Sequence, residues 1–184
     1  MRAILTLLGL LLLTACSRSP ATITTDDGQT QMQVCFTPGE DCTTLLVDQI
    51  NAAQKSIEVE AYTFTSFPIA KALVQAAARG VEVQVILDKT QFDGQHFSVA
   101  PYLQKKGIPL YEDNQVNIAH NKIMIFDQNT IETGSFNFTK AAQNNNAENM
   151  LIIRNALLAK AYIQNFDIRQ KQSQPIHFPI PMAP

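Results

Sequence analysis

The sequence predicts a single α/β domain in which a mixed central β-sheet carries helices on both of its faces. Three observations predict it. Strand-like and helix-like stretches alternate through the body of the chain in short β-α-β units. The 184 residues are 46% hydrophobic and only 16% charged, which supplies one real core and argues against extensive disorder. No segment repeats another, so the sheet is not assembled from duplicated units.

The elements follow in order. Gln33 to Phe36 reads as a short strand. Thr43 to Lys55 reads as a helix with Leu45, Leu46, Ile50 and Ala53 on one stripe, and Thr43 or Thr44 can cap its start. Ser56 to Phe64 is strand-like, with Glu58 and Glu60 alternating against Ile57, Val59 and Ala61. That alternation places the two glutamates on a solvated face. Pro68 to Arg79 is an Ala-rich helix stopped by Gly80, and Val81 to Leu87 is the next strand. A helix over Phe97 to Lys106 ends at Gly107, with Ile108 to Tyr111 as a strand after it. Ile118 to Phe126 and Thr130 to Gly134 form two strands joined by the turn Asp127, Gln128 and Asn129. A short helix from about Phe138, a strand over Asn149 to Ile153 and a helix over Ala156 to Lys171 complete the body. The aromatic residues are mostly Phe at core-like positions, so the sequence alone supports no claim of a base-stacking platform.

The folded body therefore spans residues 32–171, with a different composition at each end. Met1 and Arg2 precede an apolar run from Ala3 to Leu13, a single charge and a short hydrophobic core as in an export signal over residues 1–15. The run is too short to span a bilayer, which takes ~20 apolar residues. Leu13, Thr14, Ala15 and Cys16 resemble the lipobox of bacterial lipoproteins, which makes Cys16 the expected lipidated residue; a plain secretory signal is the rival. With Ser17 after it, the resemblance implies outer-membrane sorting and a periplasmic location. Residues 16–31 are expected to be a polar tether, and residues 172–184, with Pro175, Pro179, Pro181 and Pro184, an extended tail.

If Cys16 takes lipid, Cys35 and Cys42 remain as an even pair in an oxidising compartment, with Pro38 and Gly39 turning the chain between them. A disulfide is favoured, closing a short loop for ~2 kcal/mol. Metal binding is the alternative, but two cysteines without nearby histidines make a poor zinc site, and no metal site is expected. The formal net charge of -2 advertises no whole-molecule affinity for nucleic acid, although a local basic groove is compatible with it.

The sharpest signal is a constellation. His120, Asn121 and Lys122 are followed after four residues by Asp127, and after six more by Gly134, Ser135, Phe136 and Asn137. Residues two apart on a strand share a face, so His120 aligns with Lys122, and Ser135 with Asn137 on the neighbouring strand. A base or nucleophile, a cation and two hydrogen-bonding groups on one patch suit a phosphate diester. Lys122 offsets charge on the phosphoryl oxygens, and Ser135 and Asn137 donate to them. Asp127 lies at an odd offset from His120 and is expected to organise its own turn, with Gly134, rather than touch substrate.

The set matches the H-x-K-x4-D-x6-G-S-x-N signature at every defined position and resembles the phospholipase D superfamily. From Val34 to about Arg169 the order of elements looks like that of the bacterial single-motif endonucleases, with similar stretches at Ala61 to Thr65, Lys71 to Val74 and Glu132 to Ala142. The resemblance implies the phospholipase D/nuclease-like fold, a phosphohistidine intermediate and no metal or other cofactor. It also implies that Glu148 orients a catalytic histidine. Larger members carry two motifs per chain, whereas this chain carries one, and His96 and His177 lack partners at matching offsets. A homodimer sharing one active site is therefore expected, with His120 of each subunit at one phosphate. Three functions stay open at this point: a DNA or RNA endonuclease, a phospholipid or cardiolipin hydrolase, and an envelope lipoprotein that binds polyanions without turnover.

Overall fold

The computed structural model describes residues 21–24, 30–93 and 97–176. The signal segment, Cys16, His96, His177 and the prolines beyond Pro175 lie outside the described residues. Among the described residues, nine strands form one mixed sheet: β1 (Ala21–Thr24), β2 (Gln31–Thr37), β3 (Ser56–Ala61), β4 (Glu82–Asp88), β5 (Leu110–Asp113), β6 (Lys122–Phe126), β7 (Thr130–Gly134), β8 (Glu148–Arg154) and β9 (Gln174–Pro175). Their spatial order is β1-β2-β8-β7-β6-β3-β4-β5-β9. β3, β4 and β5 run parallel, and the other pairings are antiparallel. The expected α/β class and mixed sheet are what the chain adopts.

Helices α1 (Cys42–Ala52), α2 (Phe67–Ala78), α3 (Ala100–Lys105) and α4 (Lys140–Asn144) share one core, and α5 (Ala156–Gln172) covers the other face. Ile57, Val59 and Ala61 of β3 join the larger core, as do Met124 and Phe126 of β6. Ile125 and Ile131 turn the other way and pack with Ala159 and Phe166 of α5.

That second layer corrects the reading of Glu58 and Glu60. They do face away from the main core, but α5 lies over them and Glu60 is buried. Burial pushes the Glu58 carboxyl up to about 7; a hydrogen bond from Ser56 opposes the shift, and Asp167 and Asp127 add to it. Glu132, on the opposite face beside Met124, is fully buried, and burial raises its carboxyl well above the ordinary range. That burial favours its neutral form.

Local chemistry explains the element boundaries. Asp41, not a threonine, caps α1: its carboxylate accepts from the Thr44 N–H and hydroxyl at 2.9 and 2.7 Å. Cys42 opens that helix and is joined by a disulfide to Cys35 at the end of β2. Gly80, at φ 93°, follows α2 in a conformation that glycine adopts without a Cβ penalty. The tether expectation fails at residues 21–24, which pair with Gln31 to Val34 as an edge strand. The tail expectation fails at Gln174 and Pro175, which pair with Glu112 and Tyr111. Phe64, Phe126, Phe136 and Phe138 are core residues, but Phe36, Phe67 and Phe97 are exposed.

Candidate active site

The His-x-Lys segment enters β6 from a loop, and β6 begins at Lys122 rather than at Ile118. His120 therefore lies just before the strand, exposed, and Ser135 and Asn137 lie just past the end of β7. The side chains converge at one end of the hairpin, where loops have more freedom to shape a site than a strict two-residue repeat allows.

Backbone contacts fix the loop. Ala119 donates its N–H to the Asp88 carboxylate at 2.7 Å, at the end of β4. The Tyr62 N–H bonds the Asn121 carbonyl at 2.9 Å, extending the register of β3 past its last strand residue. Asn121, between the two motif residues, sends its side-chain amide to the opposite face of the sheet, where it bonds Glu60. Glu60 in turn feels Arg169, which is paired with Asp113. Asn121 is thus pinned at both its backbone and its side chain, and its neighbours inherit that order.

Lys122 is buried, and desolvation lowers its pKa while the Glu148 carboxylate opposes the shift. Its ammonium donates to the His120 carbonyl at 2.7 Å and lies 5.0 Å from the Tyr62 ring centroid. The same ring is 4.5 Å from the His120 imidazole. Tyr62 therefore packs against both motif side chains, holding a cation over its face and limiting the rotamers of the histidine.

Across the site, Ser135 Oγ donates to Glu148 at 2.5 Å and accepts the Asn149 N–H at 3.1 Å. The second oxygen of Glu148 accepts from the Asn146 amide at 2.9 Å. Ser135 was expected to donate to phosphate, but its proton is directed to Glu148. Glu148 was expected to orient histidine; within one chain it is held by Ser135 and Asn146. The geometry joins Ser135 and Glu148 into one unit beside Lys122. Asn137 has its side-chain oxygen buried without a partner among the described residues. A buried amide with unused capacity is costly unless a ligand meets it. Gly134 is required by close approach, since a Cβ there would stand 2.3 Å from the Asn149 carbonyl oxygen.

Asp127 stands at the far end of β6 from Lys122. Its carboxylate accepts from the backbone N–H groups of Gln54, Lys55 and Ser56, at 2.6 to 3.2 Å. It locks the connection between α1 and β3 rather than its own turn, where Asp127 and Gln128 both adopt positive φ. Sequence reasoning missed three supports: Tyr62, the Asn121–Glu60 bond and Asp88. Tyr62 follows β3 directly, but nothing in its spacing announces a contact with His120.

This arrangement, a histidine and a buried lysine opposite a serine–glutamate pair and an unfilled amide at a sheet end, defines a site for phosphodiester chemistry. A family model described as "Cardiolipin synthase, PLD-like domain" matches residues 46–169. The phospholipase D of Rickettsia bellii is 41% identical over 79% of this chain and 72% of its own length. The mitochondrial cardiolipin hydrolase of Xenopus tropicalis is 31% identical over 68% of this chain and 60% of its own. Among solved structures, Nuc from Salmonella typhimurium, a phospholipase D family member, superposes with a TM-score of 0.76 at 36% identity; the match covers 81% of this chain and 99% of that one. The chain belongs to the phospholipase D superfamily, and its class of chemistry is phosphodiester hydrolysis.

Proposed function

We propose that this phosphodiesterase is a non-specific endonuclease that hydrolyses DNA, and RNA with it, at an active site shared by two copies of the chain. The observation that carries the reading is the extent of the match to Nuc, whose length this chain spans almost entirely with one motif and no second copy. A single motif supplies one histidine, and the two-step reaction requires two.

In the first step an imidazole nitrogen of His120 attacks phosphorus, the phosphorus–oxygen bond to the leaving strand breaks, and the partner subunit's His120 gives its proton to that oxygen. In the second step that same partner histidine takes a proton from water, whose oxygen attacks phosphorus and breaks the phosphorus–nitrogen bond. Both histidines return to their starting states, and no metal enters either step. Lys122 and Asn137 hold the phosphoryl oxygens in this reading. Glu148, held by Ser135 and Asn146 on the chain's own side, faces the partner's histidine across the two-fold axis in this reading and fixes its tautomer.

Export and lipidation at Cys16 would hold this site on the periplasmic side of the outer membrane, a reading that rests on Leu13 to Cys16. The names of the Rickettsia and Xenopus relatives favour a second reading, in which the same chemistry cleaves a phospholipid headgroup.

One experiment separates them. Purified protein and His120→Ala are given plasmid DNA, RNA and phospholipid vesicles, each with chelator present. Nicking that survives chelator and disappears in the variant is expected, in a species that sediments as a dimer. Cleavage of lipid alone would reject the nuclease, and full activity in a monomer would reject the shared site.

A further inference from the structure

Phe67 and Phe97 are 50% and 62% exposed, and their rings touch at a centroid separation of 5.9 Å. Tyr102 closes against Phe67 from behind, edge-on at 5.5 Å. Leaving two adjacent phenyl rings in water forgoes the burial that stabilises other phenylalanines of this chain, and such patches mark contact sites.

The patch is tied to the site by backbone. Thr65 and Ser66 donate to the Phe138 carbonyl at 3.0 and 2.9 Å, and Phe138 follows Asn137 directly. Phe67 is the next residue after Ser66. On the other side, Val99 donates to the Phe64 carbonyl at 3.1 Å, which brings the segment carrying Phe97 to the same rim. Cations flank it. Lys71 is exposed one helical turn beyond Phe67 on α2, and Lys140 lines with Phe67 a cavity of about 580 Å³. Asp41, the acidic residue in that lining, is engaged in capping α1.

Resting on the nuclease reading, we infer that Phe67 and Phe97 form a base-stacking platform for an unpaired nucleotide beside the scissile phosphate. Lys71 and Lys140 attract the flanking phosphates. The preferred substrate is therefore nucleic acid with exposed bases, since a duplex keeps its base faces stacked on one another. The two rings already touch, so a base adds to the outer face of the pair and not between them. Stacking of this kind tolerates any base, which suits an enzyme without sequence preference.

The test is a cycle of binding measurements in a His120→Ala background, where nothing is cleaved. The probe is a fluorescent single-stranded DNA oligomer, compared with the same oligomer made abasic at its central positions. Phe67→Ala/Phe97→Ala is expected to weaken binding of the normal oligomer by about 5- to 150-fold, the range for losing one stacked base. On the abasic oligomer the same substitution should change binding less than about threefold. Phe67→Leu/Phe97→Leu, apolar but without a π face, should behave like the alanine pair. Equal weakening on both oligomers, or full recovery with leucine, overturns the platform. So does a loss of binding to phosphatidylglycerol vesicles with oligomer binding intact, which makes the patch a lipid contact, or dissociation of the dimer, which makes it an interface. The parent reading fails separately, if protein with His120 intact cleaves no nucleic acid.

Discussion

The Asn121–Glu60 bond offers a way to disturb the motif without touching either catalytic candidate. Asn121 lies between His120 and Lys122, and its amide reaches through the sheet to a carboxylate that is only 4% exposed. Burial raises the Glu60 pKa, while the Asn121 bond and Arg169 pull it back down. Glu60→Leu would leave the half-buried amide without its acceptor, at a cost of about 1 kcal/mol in stability. Freed from this anchor, the segment shifts His120 and Lys122 together, and a displacement of ~1 Å at a reacting group lowers turnover by up to about 100-fold. Glu60→Gln keeps an acceptor and should hold kcat within about threefold. Asn121→Asp sets two carboxyls against each other and should impair both stability and kcat. The double variant Asn121→Asp/Glu60→Gln reverses the donor and acceptor and should recover most of the loss. Thermal unfolding and kcat with KM on one oligonucleotide substrate read the series. A kcat unchanged in Glu60→Leu despite lost stability would refute the positioning argument, as would a double variant no better than Asn121→Asp alone.

Two further outcomes follow from the same sheet. Glu58 has a folded pKa of about 7 against 4.5 for the free group, so its stabilising protonated form is fully present below pH 4.5 and is lost as pH rises through 7. Glu58→Gln should therefore match the parent near pH 4 and exceed it by about 3 kcal/mol at pH 8, by denaturant unfolding; an equal gap at both pH values would refute this. Gly134→Ala should destabilise by about 3 kcal/mol and depress activity, because its Cβ meets a β8 carbonyl while Ser135, the next residue, depends on that strand for its bond to Glu148. A variant with parental melting temperature and turnover would show that β8 yields at no cost.

The motif was fully legible because its chemistry is written in residue types at fixed spacing. Its placement was less so. The two-residue repeat assumes an unbroken strand, but Ala119 bends to Asp88 and the strand starts only at Lys122. The pairing of hydrophobic and polar residues in β3 located the two glutamates on one face correctly. It did not reveal that a helix covers that face, because the apolar residues of α5 gather into no single stripe and only Ala159 and Phe166 are fully buried. β1 and β9 were missed for a related reason: short edge strands, Ala-Thr-Ile-Thr and Gln-Pro, with every residue exposed, carry no core periodicity. Phe67, next to a proline at a helix start, was indistinguishable from a core phenylalanine until its neighbours were known.

The buried state of Lys122 bears on how the site handles charge. Desolvation by itself favours the neutral amine, which would be of little use to a phosphoryl group. Three features of the chain oppose that tendency: the His120 carbonyl, the Tyr62 ring face and the Glu148 carboxylate. Glu148 is the strongest of these in kind, being a full charge, and Ser135 and Asn146 fix its two oxygens. The serine of the motif thus acts on the lysine through the glutamate. A phosphodiester entering the site brings a second negative charge to the same ammonium and strengthens its protonation at the moment the cation is needed. In this arrangement the motif residues form a charge-balanced set in which Ser135, just past the end of β7, sustains Lys122 through Glu148, a dependence that spacing alone did not disclose.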